Sequence, residues 1–384
     1  MVWLGARRTG SLPQKMDRGA LKNTSLALLG SIVNEHTGAF MTLDTVAEVL
    51  RCPYCHGENI SEAPEGMCCD GCSSTFPVRF DIVNTLIRPT GGVLDELRAS
   101  MREAEMPPGA PFDQYIFRYT PHIELFEERK KRSEEPTGYY RMTEENFLYA
   151  FRRLKLTGTE KVLEVGANFD LPFLAAFAER GCRCFATNIF FYANDHEDII
   201  PRAIARVAGD MNALPYRDDL FDIVLFSATL HHAPDLKKAV AEVARVLKPG
   251  GVVLILTEPV QGLVKNVWNF VDPRRFGSKG RDEEIHEGEY SIFQYFADLK
   301  ENGFEIIESV FSPHYDKKLR SKKIGGVRFA PIAAIVSRIW AQDAIRRFLK
   351  RYGLFAGQAL IGLQMNLIVR KRDRRPYVYV AEEG

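Results

Sequence analysis

Little in this chain argues for a membrane or for secretion. The nearest approach to a spanning segment, Gly353 to Val369, runs 17 residues without a charge but carries Gln358, Gln364 and Asn366. A spanning helix needs about 20 predominantly apolar residues. Met1 to Phe40 holds no apolar core followed by a small-residue cleavage site, so the expectation is a cytoplasmic protein without a secretory leader. Charge of one sign is lacking as well. The formal net charge is +1 over 384 residues, which gives no overall pull toward nucleic acid or an anionic surface. The balance is uneven, since Pro313 to Gly384 holds 16 Lys and Arg against 5 Asp and Glu. Cysteine is scarce except in one place: of seven, five fall between Cys52 and Cys72, the others being Cys182 and Cys184. Such crowding without a secretion signal excludes a disulfide framework and points to a metal.

Cys52-Pro53-Tyr54-Cys55 and Cys69-Asp70-Gly71-Cys72 form two C-x-x-C units with 13 residues between them. Thiolates from Cys52, Cys55, Cys69 and Cys72 would complete a tetrahedral Zn²⁺ and leave no position open for substrate, which makes the metal structural. Cys68 competes for the third position, and Cys69 is preferred because it keeps the two-residue spacing. His56 reads as a surface residue. Residues 45–90 form the ribbon, with Phe76 to Val83 expected as one returning strand; a core that small needs a metal staple. Residues 1–44 read as a mobile tail, in which Met41 is an alternative start. Residues 91–142 read as a helical linker, helical at Val93 to Arg98 and proline-rich at Pro107, Pro108 and Pro111.

From residue 143 the pattern alternates. Thr143-Glu144-Glu145-Asn146 opens a helix running to Leu156. Lys161 to Val165 reads as a buried parallel strand, Gly166 as a tight turn, and Asp170 as the N-cap of a helix stopped at Gly181. Further strands are expected at Cys184–Asn188, Arg206–Asp210, Phe221–Phe226, Val252–Thr257, Phe304–Ser309 and Leu363–Val369, with helices at Leu236–Leu247 and Ser291–Asn302. A strand, a glycine turn and a helix N-terminus in an open parallel sheet mark the place for a nucleotide-like ligand.

The segments VLEVGANFD, GDMNALPYRDDLFDIVLFSATLHHAPD and ARVLKPGGVVLILTEP resemble the class I S-adenosylmethionine-dependent methyltransferases, type 11 and type 25 in particular, over roughly residues 145 to 372. The resemblance implies a Rossmann-like α/β fold of seven strands, the seventh antiparallel, over residues 143–374, with a tail at 375–384. It also implies S-adenosylmethionine as cofactor. Glu164 and Gly166 match its acidic-Gly-x-Gly-x-Gly motif, while Asn168 and Asp170 stand where the second and third glycines are expected. Ala167 lies within the motif. Asn188 replaces the usual acid that meets the ribose hydroxyls. Asp210 falls where the adenine amino group is met, with Met211 beside the ring, and Ser227 closes the fourth strand. His231 and His232 follow it and are candidates for a general base, with Glu258 on the same edge to orient the acceptor. The ribbon resembles the zinc-ribbon activator subunits of tRNA and protein methyltransferases.

Two stretches are expected to wall the substrate: Val260 to Tyr290, and a basic insert at 313–352 between the last two strands. Within 317–351 apolar residues recur at helical spacing with Arg and Lys alongside. This segment reads as a lid, as a peripheral membrane surface serving a lipid-linked acceptor, or as a phosphate-backbone contact. The leading expectation is methyl transfer to a small-molecule or glycolipid-type acceptor. The alternatives are an rRNA or tRNA methyltransferase that contacts RNA through its ribbon, and a non-catalytic scaffold with an altered cleft.

Overall fold

The computed structural model of the chain describes residues 43–117, 139–167, 171–191, 203–260, 290–310 and 364–372. Residues 1–42 of the N-terminal tail, Asn168 and Asp170, the wall at 261–289, the basic insert at 313–352 and the C-terminal tail lie outside them.

The ribbon comes first, with a short helix α1 (Leu43–Ala47) and strands β1 (Ile60–Ala63), β2 (Gly66–Cys69), β3 (Thr75–Arg79) and β4 (Ile82–Asn84). Helices α2 (Gly91–Glu103), α3 (Phe112–Ile116) and α4 (Tyr139–Phe151) follow. The α/β part contains β5 (Lys161–Val165), α5 (Pro172–Ala178), β6 (Arg183–Asn188), β7 (Ile204–Ala208), β8 (Phe221–Ser227), α6 (Leu236–Val246), β9 (Leu247–Glu258), α7 (Ile292–Glu301), β10 (Phe304–Val310) and β11 (Met365–Lys371).

One sheet runs through all eleven strands, in the order β1-β2-β3-β4-β7-β6-β5-β8-β9-β11-β10. The expected seven are its larger part, and β11 is antiparallel to both β9 and β10. The count rises from seven to eleven because Phe76 to Val83 is not one strand. Phe80 and Asp81 take φ of 52° and 58°, the left-handed pair of a two-residue hairpin turn, and this reverses the chain from β3 into β4. β4 then pairs in parallel with β7, Ile82 to Arg206, Val83 to Val207 and Asn84 to Ala208. Beyond the strand, Thr85 donates to the Ala208 carbonyl from its backbone N (3.0 Å) and its hydroxyl (2.6 Å). Arg206 reaches back from β7 to the Phe80 carbonyl at 2.5 Å, and burial lowers its pKa to about 10 against the opposing charge of Asp81.

Two further expectations are corrected. The N-cap of α5 is Leu171, buried and left-handed at φ 48°, with Pro172 opening the helix, so Asp170 does not hold that position. The strand expected at Val252–Thr257 begins earlier, at Leu247, and takes in Lys248-Pro249-Gly250-Gly251, four residues passed over in the register shift between Phe221/Leu247 and Ile223/Val252.

Alternation along the strands divides the core between the two faces of the sheet. One face joins Val49, Leu50, Met67, Phe76 and Val83 of the ribbon to Leu163, Phe185, Tyr216 and Phe226, under α6 and α7. The other joins Ile82, Leu86, Val93 and Leu97 to Phe147, Val162, Leu174 and Phe177. Phe147 stacks on Phe173 at 4.4 Å between ring centres. The ribbon and the α/β part therefore bury their apolar residues together. Ile82→Ala is expected to cost about 2–5 kcal/mol, with far-UV circular dichroism and metal release in urea shifting together. A metal-release transition that moved alone would show a ribbon folded on its own.

Candidate functional site

The two knuckles are built alike. In the first, Cys52 N donates to Gly57 O (2.8 Å) and His56 N to Cys52 O (2.9 Å); in the second, Cys69 N donates to Ser74 O (2.9 Å) and Ser73 N to Cys69 O (2.8 Å). His56 and Ser73 hold the matching left-handed positions, φ 61° and 55°. The turns bring the sulfurs of Cys52, Cys55, Cys69 and Cys72 within 4.8 Å of one another. Cys52 and Cys72 are 3.7 Å apart and Cys55 and Cys69 3.5 Å. Zn–S bonds of about 2.3 Å in a tetrahedron put sulfurs roughly 3.8 Å apart, so the four fit a zinc ion. Gly57 N points to Cys55 Sγ at 3.4 Å. Cys68 stands outside the group, its thiol 3.8 Å from the Cys69 carbonyl. Burial pushes the Cys52 thiol up to about 12, whereas the Ser74 hydroxyl draws Cys72 down to about 6. A bound cation would remove that disparity by taking all four as thiolates.

The metal knuckles touch the α/β part directly. Arg51 N donates to Pro215 O (3.1 Å) and Arg217 N to Val49 O (3.0 Å), and the Arg217 guanidinium donates to Glu58 O at 2.7 Å.

The second candidate site is the carboxyl edge of β5, β6, β7, β8 and β9. Gly166 turns the chain at φ 71°, and a Cβ there would lie 1.8 Å from Thr229 Cγ2. Its lack of a side chain thus admits Thr229 as well as freeing the backbone. Glu164 is buried just before it, and Ala167 just after. Asn188 is half-buried and already occupied: Nδ2 donates to Ala167 O (2.8 Å) and Oδ1 accepts from Ile189 N (2.7 Å). The amide replaces the expected acid because a carboxylate has no N–H to give Ala167. Asp210 Oδ1 accepts from Asn212 N at 2.8 Å, and burial raises the carboxyl's pKa. Met211 packs partly buried beside it. The Ser227 hydroxyl and Asn212 Oδ1 are buried without a partner among the described residues. Such orphans are what a polar ligand would satisfy.

The strongest local feature is Glu258, fully buried at the end of β9. Oε1 accepts from His231 N (2.5 Å), His231 Nδ1 (2.9 Å) and the Tyr295 hydroxyl (3.2 Å). Oε2 accepts from Thr229 N (3.2 Å) and Leu230 N (3.3 Å). The carboxylate therefore caps the 3₁₀ turn Leu230–His232 and fixes the His231 ring, whose Nδ1–H it accepts; Nε2 keeps its lone pair. Burial, with Glu258 alongside, pushes the Tyr295 phenol far above its ordinary value, so it stays a donor. Thr257 is bent to φ 57° to aim Glu258, a costly conformation for a β-branched residue. It is held by Asn366 Oδ1 on its N–H (2.7 Å) and by Asn146 Nδ2 on its hydroxyl (2.9 Å). His232 packs its ring 4.1 Å from that of His231.

Sequence reasoning placed Glu258 on this edge but gave it the acceptor instead of His231, because the positive φ of Thr257 has no sequence signature. It missed Glu96 altogether. That residue sits in the expected linker, yet burial, Asp210 and His231 all act on its carboxyl, the first two pushing it up to about 7.

Set beside known proteins, residues 163–255 match the family model of a methyltransferase domain. The match begins within β5 and takes in most of β9, leaving out Asn146, Thr257, Glu258, Tyr295 and Asn366 of the site described above. A demethylmenaquinone methyltransferase of Mycobacterium marinum is 34% identical over 119 residues, 30% of this chain and 49% of that one. The methyltransferase GfsG of Streptomyces halstedii is 31% identical over 134 residues, 33% of this chain and 46% of that one. The chain thus spans about half the length of these curated relatives. Among solved structures, the 1,6-didemethyltoxoflavin-N1-methyltransferase of Burkholderia thailandensis aligns over 74% of this chain and 92% of its own, at 15% identity and a TM-score of 0.39. Over residues 163–255 the α/β part is thus similar to a methyltransferase domain.

Zinc analysis of the purified protein is expected to give one ion per chain, retained in Cys68→Ser and lost in Cys69→Ser. Asn188→Asp is expected to lower stability in urea by about 1–3 kcal/mol, since it sets a carboxylate against the Ala167 carbonyl.

Proposed function

We propose that the protein is an S-adenosylmethionine-dependent methyltransferase acting on a small-molecule or lipid-linked acceptor, with a structural zinc in its ribbon. The reading is carried by the His231–Glu258 pair, set on the carboxyl edge of a methyltransferase-type sheet beside the end of β8. Glu164, Gly166, Ala167 and Ser227 would hold the amino-acid portion of the cofactor, together with Asn168 and Asp170, which lie outside the described residues. Asn188 would meet the ribose with its remaining lone pair and N–H, and Asp210 and Met211 the adenine. When bound, the cofactor supplies a methyl group already activated on a sulfonium.

The chain's own part is then to orient the acceptor and take its proton. Nε2 of His231 is the atom for that proton. On transfer of the methyl group the acceptor's proton would pass to Nε2. Glu258 holds the ring's position and offsets the charge it gains, and the Tyr295 hydroxyl and three backbone N–H groups keep that carboxylate in place. The acceptor class is supported by the name of the Mycobacterium marinum relative. No helix among the described residues is long and apolar enough to cross a membrane.

Calorimetry with S-adenosylmethionine and S-adenosylhomocysteine tests the reading. Saturable heat with both is expected, and no heat at millimolar ligand would leave a scaffold instead. With demethylmenaquinone as the first acceptor assayed, His231→Ala is expected to lower kcat about 10²–10⁴-fold while leaving cofactor affinity unchanged. Equal loss in cofactor affinity would make His231 a binding residue.

A further inference from the structure

α2, the first helix after the ribbon, reaches the carboxyl edge of the sheet. A Cβ at Gly92 would lie 2.4 Å from the Pro234 ring, so the helix's first turn is in contact with the segment between the 3₁₀ turn and α6. Val93 and Leu97 are buried and fix the helix against the core. Glu96 stands one turn beyond Gly92 on the same side of the helix. Asp210 and His231 are near enough for their charges to act on it, and no hydrogen bond contributes to its titration.

Asn212 supplies a second, independent sign in the same corner. It is only 6% exposed, its Nδ2 donates to Asp235 O at 2.7 Å, next to Pro234, and its Oδ1 has no partner among the described residues. Its backbone N–H is already spent on Asp210 Oδ1. Asp210, Asn212 and Glu96 thus bring side-chain oxygens together in one corner. Buried acceptors in such a corner call for a ligand rich in N–H and O–H groups.

We infer that Glu96, with Asp210 and Asn212, forms the nucleoside subsite of the methyl-donor cleft, and that the Glu96 carboxyl takes N–H or O–H donors from the adenosine portion of the cofactor. The inference rests on the methyltransferase reading given above. Adenosine offers an exocyclic amine and two ribose hydroxyls; the sulfonium offers no donor at all. The first helix after the ribbon therefore contributes a group that faces ligand, and recognition is not confined to the α/β part. Burial and the neighbouring Asp210 keep Glu96 partly protonated near neutral pH, which lets one carboxyl group both accept and donate along the nucleoside.

The test is calorimetry on the full-length, zinc-loaded chain with S-adenosylmethionine and S-adenosylhomocysteine as probes. Zinc content and thermal midpoint serve as controls for folding. Glu96→Ala is expected to weaken both ligands by the same factor, about tenfold or more, and Glu96→Gln, which keeps an acceptor and a donor, to stay within about threefold of the parent. Asn212→Ala is expected to weaken both ligands in parallel, and decides the matter should Glu96→Ala fail to fold. Unchanged binding in the alanine variants, or a loss confined to the sulfonium form, overturns the nucleoside assignment alone. A parent protein that binds neither ligand overturns the methyltransferase reading and this assignment with it.

Discussion

Three residues of backbone, Ile82 to Asn84, decide how the rest of the molecule is organised. They lie parallel to β7 and close its outer edge, and the hairpin turn at Phe80 and Asp81 is what delivers them there. Without that reversal the ribbon would stop as a separate three-stranded piece. With it, the ribbon's apolar residues enter both faces of the sheet. Val83 packs on the face shared with α6 and Ile82 on the face shared with α4 and α5. The joint also fixes the start of α2, which lies across the carboxyl edge, so the position of Glu96 follows from the pairing of β4.

A second constraint acts within the cleft. Glu258 is fully buried and is tolerable there only because five donors meet it. Each donor belongs to a different demand of the fold: three backbone N–H groups of a 3₁₀ turn, one imidazole and one phenol. The strained Thr257 that aims it is in turn held by Asn146 from α4 and Asn366 from β11. Buried polar residues on three separate elements thus converge to orient one imidazole nitrogen. This is the pattern of a group that must be held still, and it distinguishes His231 from His232, which the sequence leaves equivalent.

Much of this was legible beforehand, for reasons that differ by element. The strands of the α/β part were readable because each is a short apolar run bounded by Gly, Asn or Asp, and a parallel strand buried on both faces looks like that. The four thiolates were readable from spacing alone, and the choice of Cys69 over Cys68 follows from where the knuckle's carbonyls turn. The β3–β4 reversal was not, because Phe80-Asp81 carries none of the Gly or Asn that ordinarily marks a turn with two positive φ values. The burial of α2 was not legible for a similar reason. Val93, Leu97 and Met101 are too few to announce a core helix, and only the surface laid down by the ribbon and by α4 gives them something to pack against. The local task of Asn188, whose N–H meets the Ala167 carbonyl as no carboxylate could, has no signature in the sequence.

The sheet's two margins are chemically unlike the strand hidden between ribbon and Rossmann-like core. β1, at one margin, turns Ser61 and Glu62 outward, a surface that discourages strangers from pairing with it. Every residue of β7, from Ile204 to Ala208, is buried. Were the cysteine cluster to come apart and its strands to let go, the backbone of this buried strand, apolar but for Arg206, would become an open template for another copy of the chain. Loss of any ion held by the four cysteines would then be felt as self-association.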